Sequence, residues 1–264
     1  MRCGNTLDLM RNLCQRVFSK VKSLALASEA RQVGRLNLQT REGWLERTLT
    51  TLPAGWRILD AGAGELKYRK FCAQLNYVSQ DFGMYDGRGN SVGRQTGRWD
   101  TSRVDIISDI TQIPEPDRSF DAVMCVEVLE HVPAPVQALR ELSRLLRPGG
   151  ILLVTAPFCC LTHMAPYLFQ TGFTPYFYKH WLGAMGFEIE EMTTNGNYFE
   201  YLAQELRRLP SVAEEHVGEK PRTIERLAID RTLILLERLS AKDRGSDGLL
   251  CFGMHVRARK KADA

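Results

Sequence analysis

The chain has 264 residues, of which 44% are hydrophobic and 25% are charged, with a formal net charge of +4 at pH 7. A chain of this length and composition can fold into one large α/β domain with a substantial core. The weakly basic balance permits an anionic partner, but the sequence has no contiguous basic patch with interleaved aromatic residues. A nucleic-acid partner is therefore not expected.

The seven cysteines contain no CxxC pair and have no metal-ligand spacing with histidine. This pattern predicts reduced thiols in a cytoplasmic protein, and no bound metal. No apolar run approaches the length that spans a bilayer. The N-terminus also lacks the continuous apolar stretch of a signal peptide.

Residues 1–52 are predicted to form an N-terminal helical cap. Within residues 5–30 apolar side chains recur at helical spacing, and basic side chains occupy much of the remaining surface. A second short helix is expected at about residues 41–51. It leads into a turn, Pro-Ala-Gly, at residues 53–55.

Beyond this turn, apolar strands alternate with helices. The predicted strands are 57–60, 77–81, 104–109, 120–126, 151–155, 187–194 and 250–258. The predicted helices are 65–75, 135–147 and 222–239, and a glycine-rich loop spans 83–100. Continuous apolar strands in this alternation predict a parallel sheet that is buried on both faces.

The first strand runs into a glycine-rich turn, "ILDAGAG", over residues 58–64. Glycines at this place let a ligand approach the backbone closely, at the start of the next helix. Asp81 follows Asp60 by 21 residues and ends the second strand, where a carboxylate can accept hydrogen bonds from ribose hydroxyls. To this point the pattern also fits a dinucleotide site.

Two details favour another ligand. The dinucleotide fingerprint needs a glycine at position 67, where the chain has Lys67, and the Asp60 carboxylate is badly placed for a pyrophosphate. The Asp60 carboxylate suits a ligand that carries an ammonium and a sulfonium, as S-adenosylmethionine does. Asp109 and Ile110, at the end of the third strand, can read an adenine edge with a carboxylate and a backbone N–H.

Five runs in order, "ILDAGAG", "SQDFG", "SDITQIP", "FDAVMCVEVLEHV" and "LLRPGGILLVTAPF", resemble the small-molecule class I S-adenosylmethionine-dependent methyltransferases over about residues 55–158. Leu66 stands where many members have a further glycine. Beyond residue 158, "PFCCLTHMAPYLFQTGFT", "LGAMGFEIEEMTTNGNYFEYLAQEL" and "CFGMHVRARK" resemble a subgroup linked to saccharide and cell-envelope chemistry.

The resemblance implies an α/β fold: a Rossmann-like, seven-stranded, mostly parallel sheet with helices on both faces, plus N-terminal helices. The last strand is antiparallel and inserted between strands five and six. The methyltransferase domain then spans 53–264, with an acceptor-side segment at 157–181. The implied cofactor residues are Asp60, Ala61, Gly62 and Gly64 at the methionine end, Asp81 and Phe82 at ribose and adenine, Asp109 and Ile110 at the adenine edge, and Val126 near the sulfonium.

The expected reaction is methyl transfer from S-adenosylmethionine to a small-molecule or saccharide acceptor, at a hydroxyl. Such a step is largely a matter of orientation, and a hydroxyl also benefits from a general base. His163 is the predicted base; His131 is the second candidate, although a structural role in ordering its loop is favoured for it. Glu127 is placed near the sulfonium, where it can bind the cofactor's ammonium. Among the aromatic residues, Tyr167 and Tyr198 are the pocket candidates.

Two alternatives stay open. The acceptor can be lipid-linked or quinone-like, or the protein can bind the cofactor without catalysis. The helix at 5–30 is expected to cover the cofactor cleft; its basic face can instead make weak contact with an anionic membrane surface.

Overall fold

The computed structural model describes residues 31–262. The helix predicted for residues 5–30, with its cleft-covering or membrane-contacting role, lies outside the described residues. None of the helices within 31–262 combines the length and the apolar character that a bilayer crossing requires.

The core element is a seven-stranded sheet with the order β3-β2-β1-β4-β5-β7-β6. The strands are β1 (Arg57–Ala61), β2 (Asn76–Asp81), β3 (Ile106–Ile107), β4 (Phe120–Val126), β5 (Leu146–Pro157), β6 (Phe187–Asn195) and β7 (Gly253–Lys260). Strands β1 to β5 pair in parallel, and β7 runs antiparallel between β5 and β6. The expected sheet, with its last strand inserted between strands five and six, is confirmed.

Helices cover both faces of this sheet. They are α1 (Asn37–Thr50), α2 (Pro135–Leu145) and α3 (Pro175–Ala184). Side chains of a strand alternate between the faces. Met124 thus joins the cluster that holds Leu45 of α1, whereas Cys125 joins the cluster that holds Leu139 of α2 and Tyr178 of α3. All five side chains are fully buried, so the sheet carries an apolar core on each side.

The contacts divide the chain into two compact units. One consists, in its described part, of 37–196 and 250–262 and contains the sheet. The other combines 31–36 with α4 (Tyr198–Val217) and α5 (Thr223–Ser240), around a small core of Val33, Ala203, Leu233 and Leu236. Residues 37–52 are therefore grouped with the sheet, while the cap proposed for 1–52 as a whole stays a prediction.

The prediction of a helix over residues 65–75 is wrong. Leu66 has a φ of +62°, and only a short 3₁₀ turn, Arg69–Phe71, follows it. A residue with left-handed backbone angles cannot lie inside a right-handed α-helix. Leu66 thus adopts the conformation that a glycine favours, at the position where many members of the resembled family have one.

Three further elements differ from the sequence predictions. Strand β3 is shorter than 104–109, because Asp105 turns its carboxylate onto the backbone N–H and hydroxyl of Ser79. The sequence patterns predict no helix at the positions of α3 and α4. Segment α3 is rich in aromatic residues, and α4 contains Pro210, features that give weak helix signals.

Candidate functional site

The glycine turn after β1 is held against the end of β2. The backbone N–H groups of Gly62 and Ala63 both donate to the Gln80 carbonyl, at 2.8 Å. Gly62 and Gly64 have φ values of +80° and +51°. Glycine is required here for space as well, because a Cβ on Gly64 would stand 2.4 Å from the Trp99 ring.

Asp81 fastens this turn to the following one. Its Oδ2 accepts a hydrogen bond from the Gly64 N–H at 2.9 Å, and its Oδ1 accepts one from the Gly83 N–H at 2.9 Å. The residue is 6% exposed. Each carboxylate oxygen has a second lone-pair site, so Asp81 can still accept hydrogen bonds from a ligand at the turn.

Asp60 lies at the end of β1 and is only 1% exposed. Its Oδ2 accepts a hydrogen bond of 2.6 Å from the Tyr77 hydroxyl. The pKa of Asp60 is raised to about 7, mainly by burial; the Tyr77 hydrogen bond lowers it, and the charge of Asp81 adds to the increase. A ligand cation beside Asp60 would favour its ionised form.

Asp109 is exposed and caps its own turn, accepting hydrogen bonds from the Thr111 N–H at 2.8 Å and hydroxyl at 2.7 Å. This turn adjoins Asp81, whose carbonyl accepts a hydrogen bond from the Ser108 N–H at 3.0 Å. Ile110 is buried next to Asp109. The ends of β2 and β3 therefore bring the predicted adenine-edge residues to one turn.

Val126 ends β4 and pairs with Thr155 of β5. Glu127 follows it with a φ of +56° and has two partners. The Thr155 hydroxyl donates to one oxygen at 2.9 Å, and Arg41 of α1 forms a 2.5 Å ion pair with the other. Strained backbone of this kind is common at functional sites.

Arg41 could not be identified from the sequence, because nothing in its local pattern distinguishes it from other basic residues of a helix. A ligand ammonium was the expected partner of Glu127, whereas in the described structure Arg41 already forms an ion pair with that carboxylate. Trp99 was missed as well: its ring packs on Gly64 from within a loop of few apolar residues. Only the three-dimensional path of that loop identifies it.

An aromatic group borders the turn after β2. The Phe82 ring is 37% exposed and meets the Tyr167 ring edge-on, with centroids 5.0 Å apart. Tyr85 contacts both Tyr167 and Trp99. Tyr167 is thus close to a predicted cofactor residue, whereas Tyr198 belongs to α4 in the other compact unit and stays a prediction.

The loop 83–100 and the segment 157–181 are joined by backbone hydrogen bonds. The Asn90 N–H donates to the Ala165 carbonyl, and the Arg94 N–H donates to the Thr162 carbonyl, both at 3.0 Å. The Met164 N–H donates back to Arg94 at 2.9 Å. The predicted acceptor-side segment is therefore anchored to the loop that carries Trp99.

The two histidines that were predicted to act on the acceptor lie together. The ring centroids of His131 and His163 are 4.7 Å apart. Nδ1 of His131 is 2.8 Å from the Tyr167 carbonyl oxygen, and Nδ1 of His163 is 2.9 Å from the Leu161 carbonyl oxygen. Burial, and then His163, lower the pKa of His131 to about 4, so its ring is neutral near pH 7.

A methyltransferase domain family model matches residues 59–154, the stretch from β1 to β5. A demethylmenaquinone methyltransferase of Renibacterium salmoninarum is 31% identical over 160 residues, 59% of this chain and 61% of the relative. A ubiquinone biosynthesis O-methyltransferase of Xanthomonas oryzae pv. oryzae is 47% identical over 53 residues, 20% of this chain and 21% of the relative. The chain thus spans about three fifths or less of the length of these relatives.

The solved structure of a SAM-dependent methyltransferase from Archaeoglobus fulgidus aligns with a TM-score of 0.51 at 14% identity, covering 84% of this chain and 94% of that one. This likeness concerns the fold alone. Residues 59–154 therefore match a methyltransferase domain, within a fold similar to that of a solved S-adenosylmethionine-dependent methyltransferase.

Proposed function

We propose that this protein transfers the methyl group of S-adenosylmethionine to a small-molecule acceptor. The observation that carries the proposal is the glycine turn of the matched domain, fixed by Asp81 at the carboxyl edge of a parallel sheet. Ligands of open α/β sheets bind at this edge. One relative is named a demethylmenaquinone methyltransferase and another a ubiquinone biosynthesis O-methyltransferase, which supports the same class of reaction.

The residues at this edge fit the cofactor by chemistry. The proposed contacts are Asp60, Ala61, Gly62 and Gly64 toward the methionine end, Asp81 and Phe82 toward ribose and adenine, Asp109 and Ile110 toward the adenine edge, and Val126 through its backbone. When bound, the cofactor supplies an activated methyl group. The chain's own part is to bind and orient both ligands and to exclude water.

The proposed acceptor is a hydroxyl-bearing molecule with a flat ring of the quinone type. Two observations support a ring: the partly exposed Phe82 beside Tyr167, and the names of the relatives. Aromatic side chains also stack on sugars, so a saccharide acceptor is the second candidate. The cytoplasmic location and the membrane contact of residues 5–30 stay predictions.

We propose that the acceptor hydroxyl is activated beside His131 and His163. In the absence of another activating group, His163 takes the proton as the oxygen attacks the methyl carbon. A base of this kind contributes about 10²- to 10⁴-fold to such a step.

Calorimetry with S-adenosylmethionine tests the cofactor site. Asp81→Ala is expected to weaken binding by about 1.5–3 kcal/mol, because a charged acceptor and two backbone contacts of the turn are lost. Asp81→Asn should fall between this variant and the parent, and Glu188→Ala, an exposed carboxylate of β6, should bind like the parent.

Transfer of labelled methyl to a demethylated quinone-type phenol and to a saccharide panel then identifies the acceptor. If Asp81→Ala binds S-adenosylmethionine as tightly as the parent does, Asp81 is not part of the cofactor site. A parent that binds no cofactor contradicts the proposed function.

A further inference from the structure

We propose that Glu130, His131 and His163 bind one divalent transition-metal ion at the acceptor side of the methyltransferase site. Each residue offers one ligand atom, and these atoms lie within 4.8 Å of one another. Sequence spacing gave no sign of such a site, because His163 lies 32 residues beyond His131 and reaches it only through the fold.

Glu130 is the strongest indication. Its side chain is 1% exposed, and Oε2 has no hydrogen-bond partner among the described residues. Oε1 lies 3.8 Å from His131 Nε2. A buried carboxyl oxygen without a partner is costly, and coordination of a cation would remove this cost.

Both imidazoles are oriented as metal ligands usually are. Each ring has its Nδ1 against a backbone carbonyl oxygen, Tyr167 for His131 and Leu161 for His163. A carbonyl only accepts, so Nδ1 carries the proton and the Nε2 lone pair remains available. Tethering of the second ring nitrogen in this way fixes the tautomer and direction of metal-bound histidines.

The spacing of the ligand atoms requires only a small closure. Two ligands on one tetrahedral ion, with bonds of about 2.1 Å, lie roughly 3.4 Å apart. The Glu130–His131 pair is close to that at 3.8 Å, and the widest separation in the cluster is within 4.8 Å. His163 is half-buried on a loop, so small rotations of its side chain can bring Nε2 inward.

The ligand set also selects the kind of ion. Imidazole nitrogens with one carboxylate suit zinc and its neighbours better than magnesium or calcium, which prefer oxygen ligands. Three protein ligands leave a fourth position open. An open position is typical of catalytic rather than purely structural sites.

Short contacts connect this cluster to the proposed cofactor site. The Glu130 carbonyl accepts hydrogen bonds from the N–H groups of Phe169 and Gln170, at 2.9 and 3.1 Å. His131 contacts the Tyr167 carbonyl, and the Tyr167 ring contacts Phe82. The cluster is therefore built into the segment that carries the aromatic border of the cofactor turn.

The role of the ion rests on the proposed function. An acceptor hydroxyl at the open position would release its proton to solvent more readily, because the ion stabilises the oxyanion. An oxygen electron pair then forms the O–CH₃ bond as the S–CH₃ bond breaks, and sulfur keeps that bonding pair as the neutral thioether. His163 Nε2 is in this case a ligand, so the metal takes over the task that the sequence assigned to His163 as a base.

Titration of chelator-treated, full-length protein with Zn²⁺ tests the site, with Co²⁺ absorption as the second readout. We expect one high-affinity ion per chain. His163→Ala and Glu130→Gln should each weaken Zn²⁺ binding by about tenfold or more and abolish the Co²⁺ bands, since a ligand is lost. His180→Ala, an exposed histidine of α3, is the matched control and should bind like the parent.

His163→Ala keeps the test decisive if Glu130→Gln fails to fold, because His163 is half-buried on a loop. Zn²⁺ binding that is absent, or equal in the parent and His163→Ala, overturns the proposal. The two proposals fail separately. If metal-free protein transfers methyl groups at the parent's full rate, the ion has no part in the reaction. If the protein binds Zn²⁺ at these residues but transfers no methyl group, the metal site stands and the proposed function is contradicted.

Discussion

Protonation of Asp60 links the proposed site to stability. Its folded pKa of about 7 is raised from an ordinary value of 3.8, mainly by burial. The folded state therefore holds a proton that the unfolded chain releases from about pH 4 upward. The stabilising contribution is complete below about pH 4 and is lost as pH rises through about 7, at up to roughly 1.4 kcal/mol per pH unit in that window.

Asp60→Asn should remove this dependence of the free energy of unfolding on pH, because an amide resembles the protonated acid. Urea unfolding of parent and variant between pH 4 and pH 8 measures the difference. Asp105→Asn is the control, and its effect on the pH dependence of stability should have the opposite sign. Hydrogen bonds from Ser79 lower the pKa of Asp105, so the stability that its carboxylate contributes is lost toward acid pH. Parallel stability curves for the parent and Asp60→Asn contradict a raised pKa.

Residue types alone pointed to the carboxylates of the proposed site but not to their partners. The spacing of Asp60 and Asp81 after two apolar strands was enough to place both at one sheet edge. The Tyr77 hydroxyl on Asp60, and Arg41 on Glu127, come from separate elements. A pairing of that kind depends on strand register and helix position, which no local pattern encodes.

At the scale of elements, the glycine turn gives a matched comparison. Gly64 and Gly97 both have positive φ, of +51° and +83°, but a Cβ meets the Trp99 ring only at Gly64 and nothing within 4 Å at Gly97. Alanine at either position carries a backbone cost of about 1–3 kcal/mol. Gly64→Ala must also displace Trp99, so we expect a larger loss in the free energy of unfolding and weaker cofactor binding.

Thermal unfolding of the two single variants, and of Gly64→Ala with Trp99→Ala, checks this. Removing the ring should restore part of the stability lost in Gly64→Ala. Equal losses at Gly64 and Gly97 are incompatible with the packing of Trp99 on the turn.

Elements with a strong apolar pattern were predictable, and those decided by one backbone angle were not. Strand β4 agrees with the predicted 120–126, because a buried parallel strand is a continuous apolar run. Residues 65–75 have acceptable helix formers, yet Leu66 has a φ of +62° and the segment contains only the 3₁₀ turn Arg69–Phe71. The residue type of Leu66 does not predict its positive φ.

At the scale of the whole molecule, the sheet separates two apolar cores, and their contributions should be independent. Leu45 and Leu139 are both fully buried, on opposite faces. Leu45→Ala and Leu139→Ala should each cost about 2–5 kcal/mol. Because the sheet lies between them, the double variant should lose the sum to within about 0.5 kcal/mol. Leu38→Ala, at an exposed position of α1, is the control.

Denaturant unfolding of the single and double variants measures this additivity. If the loss in the double variant departs strongly from the sum of the single losses, the two cores are not independent. The sequence predicted the sheet that separates them, since the order of motifs matches a known fold. It did not predict that residues 31–36 group with α4 and α5, because that unit joins segments more than 160 residues apart.

Strand β7 has a consequence for how the protein is made. Its partners β5 and β6 are complete by Asn195, but β7 begins only at Gly253. During synthesis, the β5 edge that faces β7 has no partner until more than fifty further residues have been translated. An open strand edge is a template for pairing with another chain. Ribosome stalling between Asn195 and Gly253 should therefore leave a nascent protein that depends on chaperones to stay monomeric.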